Sequence, residues 1–221
     1  MTTRHTITRA DTIFQGSAYY PPFSPKPGIQ ITPLYVHNFG APAAAVANGI
    51  SASATITAPA NAVIGGSLAT AGVATFDVPR NVVGAWTNAA VVTVTGTDQY
   101  GQTQTEASAS GTSLAGKKAF KTVTQVTPSV TVTASTFGTG DVLGLPFRVD
   151  ANGLLAARAV NAIDAGTFVP ADTTSPATTT TGDVRGTFDP AVTLNATNTV
   201  QVLIKVADVT SKIGAFGVTP V

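Results

Sequence analysis

Residues 90–150 read AVVTVTGTDQYGQTQTEASASGTSLAGKKAFKTVTQVTPSVTVTASTFGTGDVLGLPFRVD, and this stretch decides the fold. Val92 and Val94 alternate with Thr93 and Thr95, the period-2 pattern of a half-buried strand. Asp98-Gln99-Tyr100-Gly101 supplies a turn, with Gly101 free to take a positive φ. Thr103, Thr105 and Ala107, set against Gln102, Gln104 and Glu106, continue as the return strand. A second hairpin is expected from Ala119–Val126 and Val130–Thr133, with Pro128 at an edge or corner because it cannot donate to a ladder. Gly138-Thr139-Gly140-Asp141 is expected to turn the chain again before Val142–Val149. The pattern predicts an all-β fold, an antiparallel, jelly-roll-like β-sandwich with an extended N-terminal arm.

Composition narrows the function. Of 221 residues only 10% are charged and the formal net charge is +1, which gives no electrostatic case for nucleic acid or an anionic membrane. Hydrophobic residues make up 43%, mostly Ala and Val, with 7% aromatics, so a thin core of small side chains is expected. So uncharged a surface suits a protein that a partner covers. Cys is absent, which excludes disulfide and thiolate chemistry. Residues 1–14 lack the apolar core of a signal peptide, and the longest apolar patch, Ala41–Ala47, is short and contains Pro42. Assembly without secretion is the expectation. The length fits a domain over 29–221, divisible into 29–89 and 90–221, preceded by an arm over 1–28.

That arm differs in texture from the rest. Arg4, His5 and Arg9 lie in a Thr-rich stretch, and Tyr19-Tyr20-Pro21-Pro22-Phe23-Ser24-Pro25-Lys26-Pro27-Gly28 follows. Four prolines fix φ and favour a polyproline-like run, which either folds over the sandwich or docks on a neighbouring subunit. Arg4, Arg9, Tyr19, Tyr20, Phe23 and Lys26 are the candidate partner-binding residues. Further strands are expected at Ile29–Val36, Ile50–Thr57, Asn61–Gly66, Val73–Val78, Val82–Val83, Gly186–Pro190 and Thr199–Val206. A helical turn could occupy Ala41–Asn48. Leu154–Ile163 fits helix or strand, and its context favours strand. Trp86 reads as a core plug, Ala171–Thr181 as an exposed Thr-rich loop, and Asn152-Gly153 as a hairpin-type turn.

Catalytic signatures are hard to find. His5 and His37 show no ligand spacing and no nucleophile arrangement. The carboxylates stand singly, most beside Gly or in turn-like contexts where the side chain caps local backbone. Glycines do not sit in a strand–loop–helix phosphate cradle. No cofactor or metal is expected. Lys117, Lys118 and Lys121 form the one local basic patch, read as a solvated turn and strand start. Thr139-Gly140-Asp141-Val142 echoes as Thr181-Gly182-Asp183-Val184, read as a duplicated turn in which the glycines take positive φ.

TGTDQYGQ (95–102), GKKAFKTVTQVT (116–127), GTGDVLGLPFRV (138–149) and TTGDVRGTF (180–188) resemble segments of tailed-bacteriophage capsid decoration, or cement, proteins. The resemblance covers the second half of the chain. It implies a β-rich, non-enzymatic virion protein, made in the host cytoplasm, that binds the major capsid protein on the capsid exterior. It further implies a homotrimer at threefold or quasi-threefold capsomer junctions. Two rival readings are a tail-fibre or spike module for host glycans or receptors, and a virion-associated polysaccharide-degrading enzyme. The first needs an exposed aromatic platform; the second needs two carboxylates on one groove.

Overall fold

The computed structural model describes residues 34–206 and 213–221, and every regular element among them is a β-strand. In chain order these are β1 (Leu34–Gly40), β2 (Ser51–Ile56), β3 (Ala69–Thr70), β4 (Val73–Ala90), β5 (Val92–Thr97) and β6 (Thr103–Ala107). Then follow β7 (Gly111–Pro128), β8 (Val132–Gly144), β9 (Leu154–Ala159), β10 (Ala162–Ile163), β11 (Thr167–Pro170), β12 (Gly186–Asp189) and β13 (Val200–Lys205). One sheet has nine strands in the order β11-β12-β8-β4-β7-β5-β6, with β2 also on β8 and β3 on β4. The other has four, β1-β13-β9-β10. The strand pairs are antiparallel, as expected for an all-β chain without crossover helices. Residues Tyr35–Val221 form one compact unit.

The β5–β6 hairpin forms as the alternation predicts, pairing Thr93 with Ala107 and Thr97 with Thr103. Gly101 closes its turn at φ 79°, and Asp98 Oδ1 accepts the N–H groups of Tyr100 and Gln102. The larger elements depart from the local reading. Val73–Ala90 is one strand of 18 residues that runs through Pro79. Its pairing with β7 shifts register between Thr75 and Arg80, so the proline sits where the ladder is already interrupted. The expected hairpin across Pro128 does not form, because β4 lies between β7 and β8. Gly138–Asp141 is strand interior within β8, and neither Gly140 nor Gly182 has a positive φ. Asn61–Gly66 and Ala41–Asn48 carry no strand or helix. The first strand starts at Leu34, and the expected residues 29–33 lie outside the described residues.

Gly138 and Gly140 serve close approach. A Cβ on Gly138 would stand 1.8 Å from the Val46 carbonyl oxygen, and one on Gly140 2.3 Å from Asn81 Oδ1. Val46 and Thr139 exchange hydrogen bonds there, tying the segment after β1 to β8.

Two apolar clusters hold the fold. The first lies within the large sheet, where Phe76, Val82, Trp86, Phe120, Val123, Phe137 and Val94 are buried together with Ile50 and Ile56. Trp86 does plug this core, donating Nε1–H to the Gly111 carbonyl and lying 5.8 Å from Phe137. The second cluster is sandwich-like: Val200, Val202 and Ile204 of β13, Ala157 and Ala159 of β9 and Phe39 of β1 meet Leu143, Leu145 and Phe188. The expected core of small side chains is corrected by these rings. Phe76, Phe120, Phe137 and Phe188 are among the largest fully buried side chains, so phenylalanine fills what Ala and Val leave open.

Candidate docking surface

The small sheet spends one face on the second cluster, and its other face carries apolar side chains among polar ones. In β13, Val200, Val202 and Ile204 point inward, which turns Gln201, Leu203 and Lys205 outward. Arg158 pairs with both Gln201 and Ile163, so those side chains share the outer side. A bulge at Leu203/Ile204 leaves Leu155 unpaired and exposed. Val36, beside inward-facing Phe39 by period 2, joins this side. Ile163 is 87% exposed and Val36 60%. Half of the large apolar side chains exposed among the described residues belong to this sheet and its hairpin. Apolar residues on both faces are what a sheet shows when both faces are covered.

The β9–β10 hairpin turns on Val160 and Asn161, with φ of 48° and 64°. Positive φ at both central positions is the twist-matched two-residue turn, usually built from Asn and Gly. A β-branched residue there is a steric outlier, yet Val160 occupies the tip half-exposed. Arg158 Nη2 donates to the Asn161 carbonyl and braces the turn.

A second exposed feature is a run of rings. Tyr35 meets Phe147 edge-on at 5.0 Å, Phe147 lies 5.6 Å from Phe216, and Phe216 meets Tyr100 edge-on at 5.4 Å. His37 continues the run between Tyr35 and Phe39, and its burial pushes its pKa down. Tyr35, Tyr100 and Phe216 are each exposed, while the Arg185 guanidinium lies 5.1 Å from the Tyr100 ring centre. Sequence reading saw few aromatics; the topology gathers them from β1, the β5–β6 turn and two loops.

The buried charges form a fastening. Arg185 Nη2 donates to Asp98 Oδ2 at 2.7 Å with both side chains buried. Asp183 accepts N–H groups from Ala119, Arg185 and Gly186, the turn duty expected of it. Lys118, read from sequence as solvated, is 1% exposed and donates Nζ–H to the carbonyls of Thr105, Thr178 and Val221. The reason is its place inside β7 facing these carbonyls. Glu106 beside it accepts N–H groups from Lys117 and Lys118, and burial raises its pKa to about 7. Lys118, Glu106 and Asp183 thus bond backbone, and Lys118 ties the loop after β11 and the final residues across the edge of β6.

Among the described residues no three of His, Cys, Asp or Glu gather as a metal-binding group. The sequence-predicted contact residues Arg4, Arg9, Tyr19, Tyr20, Phe23 and Lys26 lie outside the described residues. The outer-face residues Val36, Leu155, Val160, Ile163 and Leu203 escaped the sequence reading. The one available signal was the excess of apolar residues in Leu154–Ile163, which fitted no single-sided strand. No protein-family model, curated protein or solved structure matches the chain.

Proposed function

We propose that this chain is a non-enzymatic structural protein of a tailed-bacteriophage virion that docks on the capsid exterior and stabilises the shell. The observation that carries the reading is the apolar outer face of the small sheet, with Ile163 87% exposed on a chain whose charged content is only 10%. Such a face loses free energy in water at roughly 25 cal/mol per Å² and regains it when a partner covers it. In this reading the partner is the major capsid protein, and the chain acts as a homotrimer at threefold or quasi-threefold junctions. The N-terminal arm supplies a second contact through Arg4, Arg9, Tyr19, Tyr20, Phe23 and Lys26. Stabilisation is mass action: a molecule that binds only the assembled shell lowers the free energy of that state. Many copies on a symmetric lattice then act together.

The test is co-sedimentation of the purified chain with mature capsid shells from its own source. Saturation at one copy per capsid subunit is expected; no binding, or a handful of copies per particle, overturns the reading. The run of exposed rings favours a second reading, a tail-fibre or spike module for host glycans, since sugar faces stack on exposed aromatics. Glycan binding abolished by Tyr100→Ala, with no shell binding, would select it.

A further inference from the structure

We infer that the outer face of the small sheet, together with the β9–β10 tip, docks on an apolar and acidic protein surface of the shell, and not face to face on the same patch of a second copy. The inference rests on the capsid reading and names the partner chemistry of that same face. The apolar centre is Val36, Leu155, Leu203 and Ile163. Arg158 and Lys205 stand on the same side, on neighbouring strands. Among the described residues, the outward positions of β1, β9, β10 and β13 include no carboxylate. Asp164, which follows β10 directly, is turned to the backbone: Oδ1 accepts from Gly166 and Ala191, and Oδ2 from Val192. A self-complementary contact brings the same patch from both partners together. Here that would set cations against a patch with no carboxylate to receive them. A surface that places carboxylates around an apolar centre meets both requirements.

Val160 points the same way from a different observation. A tip that needs positive φ at both positions would accept Asn or Gly without strain, yet a β-branched residue sits there with φ 48°. Val160 is half-exposed and belongs to neither apolar cluster, and strain kept at such a position marks a side chain used outside the fold. Val160→Asn therefore separates docking from folding, because it relieves the backbone while removing apolar surface.

The experiment measures shell binding of the full chain by co-sedimentation at low and high salt, with sedimentation velocity and melting of the free chain in parallel. Four proteins are compared: wild type, Val160→Asn, Ile163→Ser, and the double variant Arg158→Glu/Lys205→Glu. Wild type should bind shells, and more weakly at high salt. Val160→Asn should weaken binding about fivefold while melting no lower than wild type. Ile163→Ser and the double reversal should each weaken it roughly tenfold, and the mass of the free chain should stay unchanged in all of them. Wild-type binding that none of the variants alters overturns this inference and leaves the capsid reading standing. A fall in free-chain mass with Ile163→Ser overturns it as well, because the face then joins copies. Absence of wild-type binding overturns the capsid reading and this inference with it.

Discussion

Glu106 lies on the covered side of β6 with its carboxylate accepting the Lys117 N–H at 2.6 Å and the Lys118 N–H at 3.3 Å. Desolvation raises its pKa from 4.5 to about 7, against the opposing pull of those two donors and of the Lys118 charge. The folded state thus holds this proton more tightly than the unfolded chain does. Its contribution is most favourable below the unfolded value near 4.5, declines as pH rises towards about 7, and is constant above that. Between pH 5 and 7.5 the loss from this one group should be roughly 2 kcal/mol. His37 runs the other way, since burial lowers its pKa and favours the neutral ring. Comparing wild type with Glu106→Gln cancels that shared term. Urea melts at the two pH values should show the wild type losing more stability than the variant; parallel loss would refute the assignment. The glycines give a second residue-scale expectation. Gly138→Ala would drive a methyl against the Val46 carbonyl at 1.8 Å, whereas at Gly182 the nearest atom is Asp172 Cβ at 3.3 Å. Gly138→Ala should therefore cost about 3 kcal/mol or more and Gly182→Ala under about 1 kcal/mol, read from the midpoints of urea unfolding. Similar costs at the two sites would refute the close approach of β8 to the Val46 carbonyl as the reason for glycine at 138.

At the scale of elements, what was legible was what is local. The β5–β6 hairpin could be read because its alternation and its Asp98–Gly101 turn are contained within fifteen residues of sequence, Thr93 to Ala107. Strand β13 could be read because Val200, Val202 and Ile204 all face one core. Pairing between distant strands was not legible: nothing in Ala119–Thr133 says that β4 will lie between β7 and β8. Val73–Val78 and Val82–Val83 read as two strands because a register shift that accommodates Pro79 is a property of two strands together, invisible in either alone. The same limit hid the exposed apolar side chains of the small sheet's outer face, since Val36 and Ile163 reach one side of a sheet only through β13 and β9. It also hid the role of Lys118, which reads as one member of a basic patch until β6, the loop at Thr178 and Val221 surround it. That role carries an expectation for an edge strand. The Thr105 N–H donates to the Val221 carbonyl and the Ala107 N–H to the Thr179 carbonyl, so the outer edge of β6 is covered. Lys118→Met removes the three hydrogen bonds that the buried Lys118 Nζ donates to the carbonyls of Thr105, Thr178 and Val221. It should lower stability by roughly 2–4 kcal/mol and leave β6 open to pairing between chains. A lower melting temperature together with concentration-dependent light scattering is expected; a variant that melts lower and stays monodisperse would confine Lys118 to stability alone.

At the scale of the molecule, the buried fastening and the two clusters leave exposed apolar side chains on the small sheet's outer face among the described residues, on a chain with net charge +1. Under the capsid reading, a chain of so little net charge gains little from long-range steering, so stabilisation of a shell would come from occupancy at many equivalent sites. Linkage then gives a quantitative signature. If the chain binds assembled shell and not released capsid protein, each site is stabilised by RT ln(1 + [L]/Kd), about 2.7 kcal/mol at a hundredfold excess over Kd. Every further tenfold rise in free chain adds roughly 1.4 kcal/mol per site, even after binding itself has saturated. The melting temperature of the shell should therefore climb steadily with the logarithm of free chain concentration, with no plateau at stoichiometric binding. A tail or spike module, attached at a few positions per particle, has no such lever on the lattice. Its addition should leave the shell transition where it was while glycan binding saturates normally. Differential scanning calorimetry of shells across three decades of chain concentration separates the two, because a flat melting temperature is incompatible with decoration, and a logarithmic rise requires the chain to bind the assembled shell in preference to its melted subunits.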